Sequence, residues 1–335
     1  MENVKQFPYE IKDVEGELAK EIKKYYKSKL IFTGLVTVGP KEYAFLQKYK
    51  EYAADFYNMP VRSDDIFINT YPRSGSTWTR ELVWLLQNNL DFEKAKINNS
   101  KKIYENNDIN KRNKHDEEKL KITQIINPPG TDILTEIPTP RFIKTHLPLS
   151  LLPPGLLDTA KVIYVARDPR DVFVSLYHFK SLHKSHDAPD NLKPFWNLFI
   201  KGKVHCAPVF EHVKEAWNQR HHPNMLFLFY EELCEILPAT VQKVASFLDK
   251  QYTEEQMQHL CDHLSFDKLK NNSSVNHSLV QDVKIFNVDF VVVRKGKVGG
   301  WREHFDKEMI EQADKWIEEN LRDTDLRYPT SILQD

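Results

Sequence analysis

Residues 71–78 read YPRSGSTW and combine anion-binding side chains with one glycine. Arg73 carries a fixed positive charge, and Gly75 lets a ligand approach the backbone closely. The hydroxyl donors of the same stretch are Ser74, Ser76 and Thr77. Guanidinium and hydroxyl groups are suited to an anion with several oxygens. The stretch therefore predicts an anion-binding turn, and the alternative interpretation is an ordinary helix N-cap formed by Ser74 or Ser76.

The flanking residues place this turn between a strand and a helix. The apolar run at 66–69 is typical of a buried strand, and the pattern at 79–90 is typical of a helix. The free N–H groups and the positive dipole end of such a helix point at the turn. The turn differs from the nucleotide-triphosphatase loop G-x-x-x-x-G-K-[ST], because Thr70 and Ser76 replace its first glycine and its lysine. We therefore expect room for one phosphate rather than a run of phosphates.

A second anion-binding pattern lies at 165–179, which reads VARDPRDVFVSLYHF. Asp168 as a cap and Pro169 at the first helical position predict a helix start there. Ser175 falls on the apolar face of that helix, where a buried hydroxyl needs a partner. A bond to the carbonyl four residues earlier is the alternative to ligand binding. Arg167, at the end of the preceding strand, offers a charge to the same ligand.

The segment 291–305, VVVRKGKVGGWREHF, is cationic and contains three glycines. A solvated face explains a charge run, but it does not need the unusual backbone angles that glycines indicate. Arg294 and Lys295, together with Arg167 and Ser175, would neutralise a phosphate monoester, which carries about two negative charges. The sequence therefore predicts two separated anion sites on one ligand.

The elements that must position these residues alternate along the chain. Predicted strands cover 66–69, 141–146, 161–168 and 224–232. Predicted helices cover 79–90, 172–182, 216–220, 239–249, 254–264 and 308–321. Strands separated by helices indicate an α/β domain whose central, mainly parallel sheet is flanked by helices on both faces. The polar segment 97–135 interrupts this order, and it is interpreted as a lid over a pocket or as a solvated surface excursion.

Composition narrows the function classes. The 335 residues carry a formal net charge of −1, which gives no overall attraction to nucleic acid or acidic membranes. Three scattered cysteines do not make a disulfide framework, and no apolar window approaches a transmembrane span. No ligand cluster for a metal is evident. We therefore expect a cytoplasmic protein with no nucleic acid or membrane partner.

The motifs resemble those of the cytosolic sulfotransferases. YPRSGSTW is similar to the family's 5′-phosphosulfate loop YPKSGTTW, and 165–179 resembles its 3′-phosphate strand and helix. RKGKVGGW at 294–301 resembles the family's RKGxxGDW element, and FIKTHLP at 142–148 resembles its catalytic strand. Motif spacing and the polar segment look most like the insect branch, which includes retinol dehydratase.

The resemblance implies one sulfotransferase domain over residues 1–335, with a fold like that of P-loop kinases. The donor would be 3′-phosphoadenosine 5′-phosphosulfate (PAPS), the product 3′-phosphoadenosine 5′-phosphate (PAP), and the acceptor a small hydrophobic phenol, alcohol or retinoid-like compound. The 5′-phosphosulfate would be held by Arg73, Ser74, Gly75, Ser76 and Thr77. The 3′-phosphate would be held by Arg167, Ser175, Arg294, Lys295 and Gly296. The adenine would be bound by Trp78, Phe266 and Tyr230.

His146 is the expected general base, because it ends the strand 141–146 and imidazole is largely neutral near pH 7. The resemblance implies that Lys144 stabilises the transferring sulfuryl group and that Arg73 neutralises the leaving phosphate. The alternative for His146 is a strand-end histidine bonded to a backbone carbonyl. The expected acceptor pocket comprises Tyr57, Tyr104, Leu149, Leu151, Phe173 and Tyr177.

Three residues or segments depart from the family pattern. Arg73 stands where the family usually has lysine, and Gly300 replaces the acid of the late GDW element. The family's dimer segment is not evident after Trp301, so a homodimer is an expectation from the family resemblance alone.

Three other functions remain open from the sequence. A binding protein could retain the fold and sequester a lipophilic ligand, although that role would need neither His146 nor Lys144. A small-molecule kinase would share the sheet but lacks the Gly-Lys-Ser/Thr loop. A dehydratase could eliminate the sulfate from an allylic sulfated intermediate.

Overall fold

A computed structural model describes residues 6–25, 33–96, 134, 137–182, 192–272 and 296–329. The strands are β1 (Ile11–Asp13), β2 (Leu35–Val38), β3 (Tyr43–Leu46), β4 (Ile66–Thr70), β5 (Phe142–Thr145), β6 (Lys161–Ala166) and β7 (Met225–Phe229). The helices up to β7 are α1 (Gly16–Lys23), α2 (Tyr49–Tyr57), α3 (Ser76–Gln87), α4 (Phe92–Lys96), α5 (Leu156–Thr159), α6 (Pro169–Leu182), α7 (Leu192–Ile200) and α8 (Val209–Asn218). After β7 come α9 (Tyr230–Glu235), α10 (Leu237–Phe247), α11 (Glu254–His263), α12 (Phe266–Asn271) and α13 (Lys307–Leu321).

Four of these strands form a parallel sheet in the order β5-β4-β6-β7. Each overlaps one of the predicted strand segments, so the predicted α/β class and parallel pairing are confirmed. The other three strands form a separate antiparallel sheet in the order β1-β2-β3, which the sequence patterns did not predict. These strands have only three or four residues, too few for a clear alternating pattern.

The predicted helices are present with shifted ends. Helix α3 begins at Ser76, three residues before the predicted start, and α6 begins at Pro169. The prediction of a helix at 216–220 was wrong at both ends, because α8 spans Val209–Asn218. Extended backbone at Pro208 sets its start. The predicted segment 97–135 lies outside the described residues except for Leu134.

Both faces of the parallel sheet are buried, as crossover helices require. Ile68, Ile163 and Val165 pack with residues of α3, α10 and α11 on one face. Phe67 and Tyr164, which alternate with them along the strands, pack with α6, α7, α8 and α13 on the other. Because both faces are apolar, the polar groups of the site can only lie at a strand end.

A buried ion pair fixes the amino ends of the two strands that carry the site. Arg141 precedes β5 and donates to both oxygens of Asp65, which precedes β4, with Nε 2.7 Å from Oδ1. Both side chains are about 1% exposed or less. A bidentate pair of this kind fixes register as well as charge.

Among the described residues no helix is long and apolar enough to cross a membrane.

Strand order locates the site. From β4 the chain continues to β5 on one side and then to β6 on the other, so the order reverses at β4. Ligands of open parallel sheets bind outside the carboxyl ends of the strands at such a reversal. The turn at 71–75 follows β4, His146 follows β5 and Arg167 follows β6, so three predicted site segments meet there.

Candidate active site

The turn after β4 is built around Gly75, which has φ +100° and is the N-cap of α3. No side chain caps this helix, so the interpretation of Ser74 or Ser76 as an ordinary cap was wrong. Ser74 is 1% exposed, and its Oγ has no hydrogen-bond partner in the part of the chain that the structure describes. An unpartnered buried hydroxyl beside free helix N–H groups is the feature expected of an anion site.

Close packing on Tyr230 explains why residue 75 is glycine. A Cβ atom at Gly75 would lie 2.8 Å from the Tyr230 ring, well inside van der Waals contact. The Trp78 ring meets the same tyrosine edge-to-face, with centroids 6.0 Å apart. The structure thus brings together three predicted donor-binding residues from two segments.

Arg73 joins the first and second anion-binding segments. Its Nε donates to Ser175 Oγ at 3.1 Å, so the partner of Ser175 is Arg73 rather than a carbonyl of its own helix. The Arg73 guanidinium lies 4.8 Å from the centre of the Phe179 ring. Arg73 itself has φ +71°, an uncommon conformation for a residue other than glycine. Arg167 Nη1 donates to the Arg73 carbonyl at 3.0 Å and holds that conformation in place.

Arg167 retains bonding capacity for a ligand. Its guanidinium lies 4.2 Å from the Tyr230 ring centre, and its Nε is buried without a partner among the described residues. Burial opposes the charge, but Tyr230, Asp171 and Glu231 together hold the pKa of Arg167 above its usual range. A buried cation with an unused donor is suited to a phosphate.

The late glycine loop packs against the predicted adenine residue. A Cβ atom at Gly296, which has φ +57°, would lie 2.0 Å from the Phe266 ring, so only glycine fits. Asp171 accepts the N–H groups of Gly299 and Trp301 at 2.8 Å and 2.9 Å. This carboxylate, which the sequence did not single out, fixes the end of the loop on α6. Arg294 and Lys295 lie outside the described residues, as does Tyr104.

His146 lies beside the turn with its proton-accepting nitrogen defined. The register pairs Asn69 with Thr145, so Thr70 and His146 are adjacent. His146 Nδ1 lies 2.7 Å from the Thr70 carbonyl oxygen. A carbonyl oxygen only accepts, so Nδ1 carries the hydrogen and Nε2 carries the lone pair. Burial, and then the charge of Lys144, lower the pKa of His146 to about 3, which keeps the ring neutral.

Lys144 is an exposed cation on β5, two residues before His146. Burial, followed by the charges of Arg80 and Arg73, lowers the pKa of Lys144 to about 8. The side chain is also exposed to water, which screens its charge from the two arginines. Lys144 makes no hydrogen bond or ion pair with any residue that the structure describes. A bound anion would raise its pKa again.

A second histidine holds the segment after β5. His212 is 0% exposed, and its Nε2 donates to the His146 carbonyl at 3.1 Å. Its Nδ1 therefore accepts the Tyr164 hydroxyl, at 2.7 Å. Burial lowers the pKa of His212 to about 4.

Replacing His212 by glutamine should flatten the acid dependence of stability. Because the folded pKa lies below the unfolded value of about 6.5, His212 favours the folded state above pH 6.5. That contribution is lost as pH falls from 6.5 to about 4, at roughly 1.4 kcal/mol per pH unit and about 3 kcal/mol in all. Urea unfolding at several pH values measures how the free energy of unfolding depends on pH. Between pH 6.5 and about 4, this dependence should be smaller in His212→Gln than in the wild type by the equivalent of about one proton. The exposed His221→Gln is the control, and an unchanged slope in His212→Gln would contradict the assignment.

The expected acceptor residues do not form one pocket. Tyr57, Leu149 and Leu151 line a cavity of about 640 Å³, but His146 is not among its lining residues. Phe173 is 0% exposed and packs in an aromatic core with Trp196, so it cannot line a pocket surface. We therefore do not assign this cavity to the acceptor. Two other aromatic contacts occur near the site: Phe179 lies under the Arg73 guanidinium, and the Phe45 ring is 5.8 Å from that of His205.

Two charged residues of the site were missed at the level of sequence. Asp171 was not assigned to the site, because its partners lie 128 residues away and farther. Arg80 was not considered at all. Its position four residues after Ser76, on the same helix face, was a signal that could have identified it.

Comparison with known proteins identifies the family of this chain. A family model described as a sulfotransferase domain matches residues 63–325. Sulfotransferase 1 family member D1 of Mus musculus is 34% identical over 84% of this chain and 92% of its own length. Sulfotransferase 1E1 of Homo sapiens is 33% identical over 85% of this chain and 94% of its own.

Among solved structures, retinol dehydratase in complex with androsterone and the inactive cofactor PAP has a TM-score of 0.85. It is 44% identical and covers 96% of this chain and 98% of its own. Retinol dehydratase in a complex with retinol and PAP also has a TM-score of 0.85, with 45% identity over 96% of this chain and 99% of its own. The chain therefore belongs to the sulfotransferase family and is a sulfuryl-transferring enzyme.

Proposed function

We propose that this enzyme transfers the sulfuryl group of PAPS to the hydroxyl of a small hydrophobic alcohol or phenol, with His146 as the general base. The observation that carries the proposal is the bond from His146 Nδ1 to the Thr70 carbonyl, 2.7 Å long. It leaves Nε2 unprotonated, beside Lys144 and the Gly75 turn. The alternative role of His146, a hydrogen bond to a backbone carbonyl, uses only Nδ1. Nε2 therefore stays available to accept a proton.

The residues present fit a donor with two anionic ends. At the 5′ end, Ser74 Oγ is buried without a partner in the described residues, and the N–H groups that open α3 face the same turn. At the 3′ end, Arg167 Nε is likewise unused. We propose that Arg73, Ser74, Gly75, Ser76 and Thr77 hold the 5′-phosphosulfate. We propose that the 3′-phosphate is held by Arg167, Ser175, Arg294, Lys295 and Gly296.

The adenine would lie between these ends. Trp78 and Phe266 would contact its faces and Tyr230 its edge. Tyr230 packs against Gly75 and Phe266 packs against Gly296, so each aromatic residue is fixed to a glycine of one anion site. Such fixed spacing favours one length of ligand over shorter or longer nucleotides.

The donor, when bound, supplies a sulfuryl group with an activated bond to phosphate. His146 Nε2 takes the proton of the acceptor hydroxyl while the hydroxyl oxygen forms its bond to sulfur. The bond from sulfur to the 5′-phosphate oxygen breaks, and the electron pair remains on that oxygen. Arg73 neutralises the charge that develops there, and Lys144 stabilises the sulfuryl oxygens. PAP and the sulfated acceptor are the products.

The surroundings of His146 favour an apolar acceptor. Phe179 lies under the Arg73 guanidinium, and the imidazole of His205, whose pKa burial lowers to about 4, lies close enough to influence His146. Neutral rings at this position would pack against a hydrocarbon and would not attract a second charge. The solved structures of retinol dehydratase contain androsterone and retinol, two hydrophobic alcohols.

Turnover with radiolabelled PAPS tests the proposal. Incubation with a panel of phenols, sterols and retinoids should move label to at least one acceptor without added metal. PAP should inhibit the reaction. A chain that binds PAP but transfers label to no acceptor would support the sequestration hypothesis. Magnesium-dependent consumption of ATP would support a kinase instead.

A dehydratase outcome is the second candidate, because two structures of retinol dehydratase are 44% and 45% identical over 96% of this chain. The first step would be the same sulfuryl transfer. Loss of the sulfate and of a proton from an allylic product would then give an additional double bond. Mass spectrometry of products from an allylic alcohol separates the outcomes. The sulfate ester marks transfer alone, and a product lighter by one water marks elimination.

A further inference from the structure

Arg80 is a cation on α3 whose charge has no hydrogen-bond or ion-pair partner among the described residues. It lies on α3 and is half-buried, and it forms no hydrogen bond or ion pair with any residue in the described ranges. The adjacent carboxylate of Glu81 favours the charge of Arg80 through space but forms no ion pair with it, and its Oε1 lies 3.1 Å from His263 Nε2. A half-buried guanidinium that forms no ion pair keeps its N–H donors available for the oxygens of an anionic ligand.

Helix geometry directs Arg80 toward the Gly75 turn. Residues four apart lie on one helix face, so Arg80 shares its face with Ser76, the first residue of α3. Each Cα–Cβ bond of a helix tilts toward the helix N-terminus. The long side chain of Arg80 therefore extends back along α3 toward the turn that precedes it.

Arg80 and Lys144 are neighbouring cations from different elements. Helix α3 packs on β5, which carries Lys144. Arg80 is the first charged group that lowers the pKa of Lys144, ahead of Arg73. Burial also lowers the pKa of Arg80 itself. Arg80 and Lys144 carry like charges and repel each other, and an anion bound between them removes that repulsion.

We propose that Arg80 is a further donor-binding residue, which contacts the 5′-phosphosulfate oxygens beside Lys144. The assignment rests on the proposed function, since it takes PAPS as the donor. It adds a third cation, on the helix rather than on the turn or the strand. The 5′ end of the nucleotide would then be held from three sides, by Arg73, Lys144 and Arg80.

Two nucleotides that differ only at the 5′ end test this assignment. Calorimetry would measure the binding of PAP and of adenosine 3′-monophosphate, which lacks the 5′-phosphate, to the wild type and to Arg80→Gln. We expect Arg80→Gln to weaken PAP binding by about tenfold, the lower end for a charged hydrogen bond. The affinity for adenosine 3′-monophosphate should change less than about twofold, because Arg80 is assigned to the 5′ end.

Two further variants make the result interpretable. Arg220→Gln removes an arginine that stacks on Trp217 and pairs with Asp325, away from the site, and should leave both affinities unchanged. Arg80→Lys keeps the charge but loses the fork geometry, so it should weaken PAP binding less than glutamine does. Thermal melting shows whether each variant is folded, and Arg80→Lys carries the test if Arg80→Gln is not.

The outcomes separate this inference from the proposed function. A wild type that does not bind PAP refutes the proposed function itself. If the wild type binds PAP, equal losses for both nucleotides in Arg80→Gln overturn the assignment and indicate an effect through the fold. No loss for either nucleotide overturns the assignment as well.

Discussion

Replacing His146 by alanine should lower sulfuryl transfer by about 10²–10⁴-fold and leave PAP affinity within about twofold of the wild type. His146 Nε2 is the acceptor nitrogen, because Nδ1 donates to the Thr70 carbonyl at 2.7 Å. The ring is neutral at pH 7, since burial lowers the pKa of His146 to about 3. Loss of the imidazole removes the proton acceptor but none of the groups assigned to the donor. Transfer of radiolabelled sulfate and calorimetry with PAP measure the two quantities.

The matched control is His221→Ala, which removes an exposed histidine outside the site and should be indistinguishable from the wild type. The His146 variant also leaves the Thr70 carbonyl without its donor, so a modest stability loss of about 1 kcal/mol is expected. Thermal melting distinguishes that loss from unfolding. Turnover above one tenth of the wild-type rate would show that another group accepts the proton.

Replacing Gly296 by alanine should weaken PAP binding by at least about tenfold, because the loop that carries the 3′-phosphate residues must move. The new Cβ atom would lie 2.0 Å from the Phe266 ring, a distance that cannot be tolerated. Relief requires displacing either the loop or the ring, and both are assigned to the donor. Alanine at φ +57° adds backbone strain of about 1 kcal/mol or more. Calorimetry with PAP measures the loss.

Gly16→Ala is the control that separates strain from steric clash. Gly16 has a similar φ of +69°, but an added Cβ would meet no atom within 4 Å. The control should therefore lose a similar amount of stability to strain while keeping its affinity for PAP. Equal PAP affinity in Gly296→Ala and Gly16→Ala would refute the role of the Gly296 contact with Phe266.

Motif chemistry was the part of the site most accessible to prediction. The turn at 71–78, the strand end at Arg167 and the strand 142–145 were identified because each is a contiguous run of residues. The order of strands and helices was also predictable, since apolar strands alternate with helical periodicity over 66–321. The antiparallel sheet β1-β2-β3 was missed, because strands of three or four residues carry too little periodic signal.

Partners that lie far apart in the sequence were not predictable. The bond from Arg73 to Ser175 spans 102 residues, and those from Gly299 and Trp301 to Asp171 span 128 and 130. From the sequence, the hydroxyl of Ser175 could bond either to a ligand or to a carbonyl of its own helix. In the structure its partner is Arg73, which neither interpretation included. Such choices are decided by which segments the sheet brings together.

The amino-acid sequence by itself determined the α/β class, the glycine turn at 71–78 and the strand that precedes His146, because local composition and spacing encode them. Only the tertiary structure decided which nitrogen of His146 can accept a proton, since that depends on the Thr70 carbonyl of a neighbouring strand. It also placed Arg80 beside Lys144 and Phe266 against Gly296. The physical reason is that proton location, charge repulsion and steric fit depend on distances through space, and a sequence specifies these only after the strands have paired.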